Sequence, residues 1–224
     1  MKQFSEQRII DSWKNNVTPW VKAIRAGEIA SRVQITNQAI IDTVLKFKPA
    51  TVLDVGCGEG WLVRALEQRG ISACGIDVVP EFITVAQQEG VGRFQLLGYE
   101  DISDRSFDHG FDALVCNFSL LGDTSVQHLF RMTATLLSAN GSMVVQTLHP
   151  QLACSKADYQ DGWRAGSWQG FSTDFCDPAP WYFRTLESWR ALFGDSGFQP
   201  VHIDEPVNPS TQKPASIILS ARLK

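Results

Sequence analysis

The chain reads as an α/β protein built on a seven-stranded, mostly parallel sheet with helices on both faces. Three observations predict this. From Ala50 onward, short β-like runs alternate with helix-like stretches, the pattern of repeated strand–helix units. The run FDALVCN, residues 111–117, is almost continuously apolar, as a strand covered on both faces must be. The stretch VLDVGCGEGWL, residues 52–62, passes from strand to helix through a turn with three glycines at alternate positions.

Residues 1–48 carry apolar side chains at helical spacing: Ile9, Ile10 and Trp13, then Val17, Trp20, Val21 and Ile24, then Ile40, Ile41, Val44 and Leu45. This segment is read as a helical cap over one edge or mouth of the sheet. Residues 50–150 hold the first five strands. TVLDV is the first, followed by the helix WLVRALEQRG, with Leu62, Val63 and Leu66 on one stripe and Gly70 as its stop. SACGID is the second strand, and EFITVAQQEG the helix after it, with Phe82, Val85 and Ala86 turned inward. RFQLL and FDALVCN are strands three and four. The helix SVQHLFRMTATLL then offers Leu129, Met132, Leu136 and Leu137 to the sheet, and a turn at SANG introduces SMVVQTL as strand five.

Residues 151–182 break the alternation. This stretch lacks periodicity and holds Tyr159, Trp163, Trp168, Phe171, Phe175, Trp181 and Tyr182; so many aromatics argue for an ordered lid rather than a disordered loop. In residues 183–224, the helix TLESWRALFGDSG starts on Thr185 as its N-cap, and FQPVHID and SIILSARL complete the sheet. A chain of 224 residues suits one domain assembled from these parts.

Composition narrows the function classes. The hydrophobic share of 44% and charged share of 20% are ordinary for a soluble protein, and no apolar run is long enough to span a bilayer. The polar start MKQFSEQRIIDSWKNN carries no targeting pattern, so a cytoplasmic setting is expected. A net charge of −4 with a pI near 5.6 gives no general attraction to nucleic acid or anionic membrane, and neither is an expected partner. Cys57, Cys74, Cys116, Cys154 and Cys176 are scattered without a C-x-x-C pair and are read as reduced, mainly buried structural thiols. No cluster has metal-ligand spacing, so no metal is expected. Nothing in the sequence sets the oligomeric state.

The glycine turn would lay bare backbone and helix N-terminal amides against a ligand. A dinucleotide fingerprint needs a glycine at position 61, but that residue is Trp61 and the third glycine is Gly60. No G-K-[ST] follows, which removes a phosphate-cradling loop. Asp77 closes the second strand, 21 residues beyond Gly56, where an acid accepts hydrogen bonds from ribose hydroxyls. NAD and S-adenosylmethionine both satisfy that acid; the glycine spacing separates them.

With these two motifs stand GYED after strand three, FDALVCNFSLLGD, LSANGSMVVQTLHP and YFRTLESWRALFGDSGF, in that order. Over residues 51–224 the chain resembles a class I S-adenosylmethionine-dependent methyltransferase of the small-molecule type. The resemblance implies a Rossmann-like sheet, S-adenosylmethionine as donor with S-adenosylhomocysteine as product, and a small-molecule methyl acceptor. It implies that Gly56 and Gly58 lie under the methionine part of the cofactor, with Asp54 steadying the loop. Asp77 would bind the ribose, Val78 would pack on the adenine, and Tyr99 and Glu100 would flank the ring and meet its edge. Asn117 would offer its carbonyl to the ammonium, Phe118 would stand near the methyl, and Arg32 would pair with the carboxylate.

Methyl transfer is an in-line displacement, so alignment and exclusion of water matter most, and a base is needed only for an acceptor that must lose a proton. The [DN]-P-P-[YF] pattern of amino-nitrogen methyltransferases is replaced by NFSL, which disfavours nucleobase methylation. His149, just past strand five at the C-terminal edge of the sheet, is the candidate catalytic base. Glu205 and Arg184 fall at rim positions, while His128 is read as a helix-surface residue. Trp163, Trp168, Phe171, Trp181 and Tyr182 are expected to wall a dry pocket, completed by Trp13, Asn16 and Trp20. The expected function is methyl transfer to an oxygen, nitrogen or carbon of a small organic molecule. The alternatives are an NAD-dependent oxidoreductase, against which Trp61 counts, and a non-catalytic cofactor-binding module.

Overall fold

The computed structural model describes residues 4–154 and 158–224. Ahead of the sheet lie α1 (Glu6–Asn15), α2 (Val17–Arg25), one π-helical turn (Arg32–Thr36) and α3 (Asn37–Lys46). Next come β1 (Thr51–Val55), α4 (Trp61–Glu67), β2 (Ser72–Asp77), α5 (Pro80–Gln88), β3 (Arg93–Leu96) and a 3-10 turn (Tyr99–Asp101). They are followed by β4 (Phe111–Asn117), α6 (Thr124–Leu136), β5 (Leu137–Thr147) and α7 (Pro150–Ala153). The remainder comprises β6 (Gly162–Arg164), β7 (Trp181–Phe183), α8 (Leu186–Asp195), β8 (His202–Asp204), β9 (Val207–Asn208), β10 (Lys213–Pro214) and β11 (Ile217–Arg222).

Seven strands form the main sheet in the order β3-β2-β1-β4-β5-β11-β8. The first five pair in parallel, and β11 runs antiparallel to both β5 and β8. The strand order reverses between β1 and β4, and the crevice beyond the C-terminal ends of those strands is where ligands bind in open α/β sheets. Alternate residues of each strand feed opposite layers. Leu53, Val55, Ile76 and Leu114 face α6 and α8 with Phe130, Trp189 and Phe193, while Val52, Ala113, Val115 and Val144 face α3 and α4 with Ile40, Val44, Leu62 and Leu66.

Two boundaries differ most from the sequence reading. The expected turn at Ser138–Gly141 is a wide bulge inside β5: Phe111 pairs with Leu137 and Ala113 with Ser142, and Asn140 takes the left-handed φ of 63°. Gly110 permits this, since a Cβ there would meet the Leu137 carbonyl carbon at 2.7 Å. Strand six, expected over 198–204, shortens to β8; Pro200 has no amide to donate, and Phe198 forms only an isolated bridge to Leu223.

The N-terminal cap is two amphipathic helices. Ser5 caps α1 by accepting the Arg8 amide, and Trp13, Trp20 and Val21 pack on a small cluster of Val17, Val79 and Phe82 beside the C-terminal edge of the sheet. Residues 158–183 place β6 against β7 as an antiparallel pair outside the main sheet. Cys57, Cys74 and Cys116 are buried, as expected; Cys154 is half-buried and Cys176 exposed, and all five are free thiols. Among the described residues no helix is long and apolar enough to cross a membrane.

Candidate active site

A cavity of about 330 Å³ opens between the C-terminal ends of β1, β2 and β4 and the underside of α1 and α2. That volume is on the scale of a small-molecule site. It brings together most of the residues singled out from the sequence: Arg32, Gly56, Gly58, Asp77, Val78, Tyr99, Glu100, Asn117 and Phe118 all line it.

The glycine loop hangs from β2. The amides of Gly56 and Cys57 both donate to the Ile76 carbonyl, at 2.8 and 2.9 Å, which folds the loop back over the strand end. Each glycine serves a different need. Gly56, with φ 77°, has no room for a side chain, since a Cβ would stand 2.4 Å from Ser119 Cβ and 2.6 Å from Tyr99 Oη. Gly60, the third glycine, is bare because Phe94 lies 2.6 Å from where its Cβ would be, so its role is packing. Gly58 faces open space, with only Trp20 Nε1 near at 3.9 Å, so its missing side chain leaves volume for a ligand.

Asp77 is tied into the loop. Its Oδ2 accepts the Gly58 amide and its Oδ1 the Val79 amide, both at 2.9 Å, and each oxygen keeps lone pairs for further donors. Burial raises its pKa, and the backbone amides partly offset the rise. Asp54 lies beneath the loop, outside the cavity lining, buried with no hydrogen-bond partner for Oδ1. Burial first, then the Asp77 charge, pushes its pKa up to about 7 against the opposing pull of Arg32. Its link to the loop is thus through space, not through a hydrogen bond.

Arg32 leaves the π-helical turn and reaches the cavity between two indoles. Its guanidinium carbon stands 5.5 Å from the Trp20 ring centre and 5.3 Å from that of Trp61. The residue is 8% exposed, and its Nε has no hydrogen-bond partner. Burial lowers its pKa to about 10 against the attraction of Asp54 and Glu59, so the side chain is a buried cation at neutral pH. Trp61, whose bulk excludes the dinucleotide reading, therefore also supports this cation.

At the end of β4, Phe118 adopts φ 55°, and its amide donates to the Gln146 carbonyl at 2.8 Å. Left-handed backbone at a bulky residue is strained and clusters at functional sites. Ser119 pins this turn to β1 by donating to the Val55 carbonyl, and its own carbonyl accepts the Tyr99 hydroxyl at 3.1 Å. Val78 is an exposed apolar side chain within the cavity, and the Asn117 Oδ1 is buried without a partner. Burial raises the Cys57 thiol well above its ordinary pKa, which keeps it protonated and unreactive inside the loop.

The opposite wall comes from α1 and α2. Ile9, Ile10, Trp13 and Trp20 line it, with Val79 and Phe82 from the start of α5 and Leu121 after β4. The expected lid aromatics stand one layer further out. Trp168 packs against Trp13 at 5.7 Å and Phe171 stacks on Trp20 at 6.4 Å, while Trp163 pairs with Tyr182 in the β6/β7 hairpin; none of these insertion residues lines the cavity. Asn16 lies outside it too: its side chain bonds the Cys176 carbonyl at 2.7 Å and the Cys176 amide at 2.9 Å, locking the insertion to α1.

His149 is not among the lining residues. It is buried, and its Nε2 lies 2.7 Å from Glu205 Oε1, tying the turn after β5 to the turn after β8. Arg184 is a buried clamp, donating to the Gly122 and Asp123 carbonyls at 2.8 and 3.0 Å and shaping the loop before α6. His128 Nε2 lies 3.1 Å from the Ile102 carbonyl instead of standing free on the helix surface. The sequence reading missed Ser119, Glu59 and Glu6. Glu59 sits inside the glycine motif, buried and paired with Arg64, and Glu6 reaches the cavity from the start of α1.

Known proteins share this architecture. A family profile described as "Methyltransferase domain" matches residues 29–203. Over 109 residues the chain is 34% identical to a "Ubiquinone biosynthesis O-methyltransferase" of Xylella fastidiosa strain M23, covering 46% of this chain and 44% of that protein. A protein of the same description from Xanthomonas oryzae pv. oryzae is 31% identical over 104 residues, 45% of this chain and 44% of that one. The chain thus matches less than half the length of these curated relatives. Among solved structures, a putative S-adenosylmethionine-dependent methyltransferase from Listeria monocytogenes superposes with TM-score 0.66 at 20% identity, covering 82% of this chain and 96% of that one. Magnesium protoporphyrin IX methyltransferase from Synechocystis, with bound S-adenosylmethionine, gives 0.65 at 16% identity over 100% of both chains. These two likenesses concern the fold. The profile spans most of the chain, and the cavity gathers the glycine loop, Asp77 and Arg32 where such a fold binds its ligand: the chain belongs to the methyltransferase-domain family and has the class I methyltransferase fold.

Proposed function

We propose that this chain transfers a methyl group from S-adenosylmethionine to an oxygen of a small organic acceptor held under α1 and α2. One observation carries the reading. The buried Arg32 guanidinium, with an unpartnered Nε, faces the same cavity as Asp77 and the glycine loop, and so meets the needs of a ligand with a carboxylate at one end and a ribose at the other. The unpartnered Oδ1 of Asn117 and the open space over Gly58 fit the same group.

In this reading Arg32 holds the carboxylate and Asp77 the ribose hydroxyls. Val78 and Tyr99 flank the adenine, Glu100 meets its edge, Gly56 and Gly58 let the chain lie close, and Asn117 and Phe118 border the methyl. When bound, S-adenosylmethionine would supply a sulfonium methyl for in-line displacement by the acceptor oxygen, with S-adenosylhomocysteine and the hydroxyl proton as the other products. Trp13, Phe82 and Leu121 keep bulk water from that line and orient the acceptor.

The printed names of the curated relatives, O-methyltransferases, support oxygen over nitrogen or carbon. The placement of His149 beside Glu205, away from the cavity, supports a positioning role in the turn after β5 rather than action as the base. The five free thiols support a reducing compartment, the cytoplasm. A net charge of −4 disfavours nucleic acid as acceptor.

Thermal stabilisation separates this reading from its rivals. S-adenosylhomocysteine is expected to raise the melting temperature and NADH to leave it unchanged; a shift with NADH alone overturns the assignment. Transfer of labelled methyl to a panel of hydroxylated aromatic compounds tests the acceptor. Cofactor binding without transfer to any of them would favour a binding module.

A further inference from the structure

We infer that Glu6 is the specificity determinant of the acceptor half, and that it makes this half select uncharged aromatic molecules over carboxylate-bearing ones. The inference rests on the methyltransferase reading for the location of that half. Among the described lining residues the charged side chains are Glu6, Glu59, Asp77, Glu100, Asp101 and a single cation, Arg32. Arg32 stands at the cofactor end, between Trp20 and Trp61. The acceptor half is left with Ile9, Ile10, Trp13, Phe82 and Leu121, and with no basic side chain.

One other element there could attract an anion: the N-terminus of α6, a helix of 13 residues preceded by the lining residue Gly122 and carrying the lining residue Ser125 in its first turn. Glu6 fills it. Its Oε1 accepts the Asp123 and Thr124 amides at 2.8 and 2.9 Å and the Thr124 hydroxyl at 3.2 Å, and its Oε2 accepts the Ser125 hydroxyl at 2.7 Å. The fit leaves no room for another group. Gly122 lacks a side chain where a Cβ would meet Glu6 Oε2 at 2.0 Å and Ser125 Oγ at 2.2 Å. Glu6 is also held from behind, since Arg8 pairs with Asp177 at 2.8 Å and fastens α1 to the insertion. An anionic acceptor therefore meets a carboxylate on a helix end that is already satisfied, and desolvating it without a partner is costly. A neutral ring meets Trp13, Ile10 and Phe82 at no such cost.

Two probes that differ only in charge test this: methyl 3,4-dihydroxybenzoate and 3,4-dihydroxybenzoate, titrated calorimetrically into protein saturated with S-adenosylhomocysteine. The ester is expected to bind at least about tenfold more tightly than the acid, the scale of one uncompensated charged contact. Glu6→Gln is expected to narrow that ratio to less than about threefold, with affinity for S-adenosylhomocysteine unchanged. Glu6→Ala, which removes the carboxylate and leaves the α6 amides free, is expected to narrow it as well. Equal binding of acid and ester, binding of neither, or a ratio unmoved by both substitutions overturns the inference. Failure of S-adenosylhomocysteine to bind the unaltered protein would instead overturn the methyltransferase reading.

Discussion

The two walls of the cavity are built in opposite ways. The cofactor wall is made of backbone: the glycine loop folds onto the end of β2 through amide–carbonyl bonds, and Asp77 closes it across 19 residues of chain. The opposite wall, proposed for the acceptor, is carried by α1 and α2 and fastened by side chains that reach across the molecule: Glu6 to Ser125 over 119 residues, Asn16 to Cys176 over 160 and Arg8 to Asp177 over 169. Backbone geometry leaves the first wall little freedom to change, whereas the second can be re-tailored by single side chains. A conserved donor and a variable acceptor are what such a division would permit.

Substitutions can break this contrast in order of expected effect. Asp77→Ala is expected to weaken S-adenosylhomocysteine binding by about tenfold to a hundredfold, the scale of two charge-assisted hydrogen bonds; unchanged affinity by calorimetry would remove Asp77 from ribose recognition. Gly56→Ala combines a φ of 77° with a Cβ 2.4 Å from Ser119 Cβ, and is expected to destabilise the fold by about 2–4 kcal/mol, read as a lower denaturation midpoint. Asn16→Ala removes the buried clamp on Cys176 and is expected to cost about 1–3 kcal/mol. Its diagnostic is asymmetry: amide exchange should speed up in α1, while S-adenosylhomocysteine affinity stays within about twofold. Equal damage to both walls would erase the distinction drawn here.

The mildest test is one of pH. The Asp54 pKa is raised in the folded state, from 3.8 to about 7, so the folded protein binds the extra proton across that window. Stability from this group is therefore present at acid pH and is lost as pH rises through about 7. Asp54→Asn should melt above the unaltered protein at pH 8, with the gap shrinking toward pH 5. A gap that does not depend on pH would show that the folded-state pKa of Asp54 is not raised into this range.

The same contrast explains what could be read from the sequence. Gly56, Gly58 and Asp77 stand within one strand–turn–helix–strand unit, where spacing alone implies proximity. The sheet was legible for the same reason, with errors only where strand ends depend on neighbours, as at the Asn140 bulge and at Pro200. Arg32 could be proposed only through the family resemblance, because its cradle is assembled from Trp20 and Trp61 on separate elements. Glu6 left no readable mark: in sequence it is one acid in a mixed polar segment, and its partner amides lie more than a hundred residues away. The sequence assigns the insertion aromatics and Trp13 and Trp20 to one pocket wall, because nothing in their spacing tells that the two tryptophans take the inner layer and leave Trp168 and Phe171 packed behind them.

The clamp between Asn16 and Cys176 also bears on the order of assembly during synthesis. The polar partners that fasten α1 are at Ser125, Cys176 and Asp177, so until most of the chain has emerged this helix is held only by the packing of Trp13 on Phe82. Meanwhile β1 to β4 can pair with what is already present. The nascent protein would thus form its donor site before its roof is fastened, with Trp13 and Trp20 only partly covered in the interval; in those seconds of synthesis a chaperone's interest would fall on the N-terminal helices rather than on the sheet.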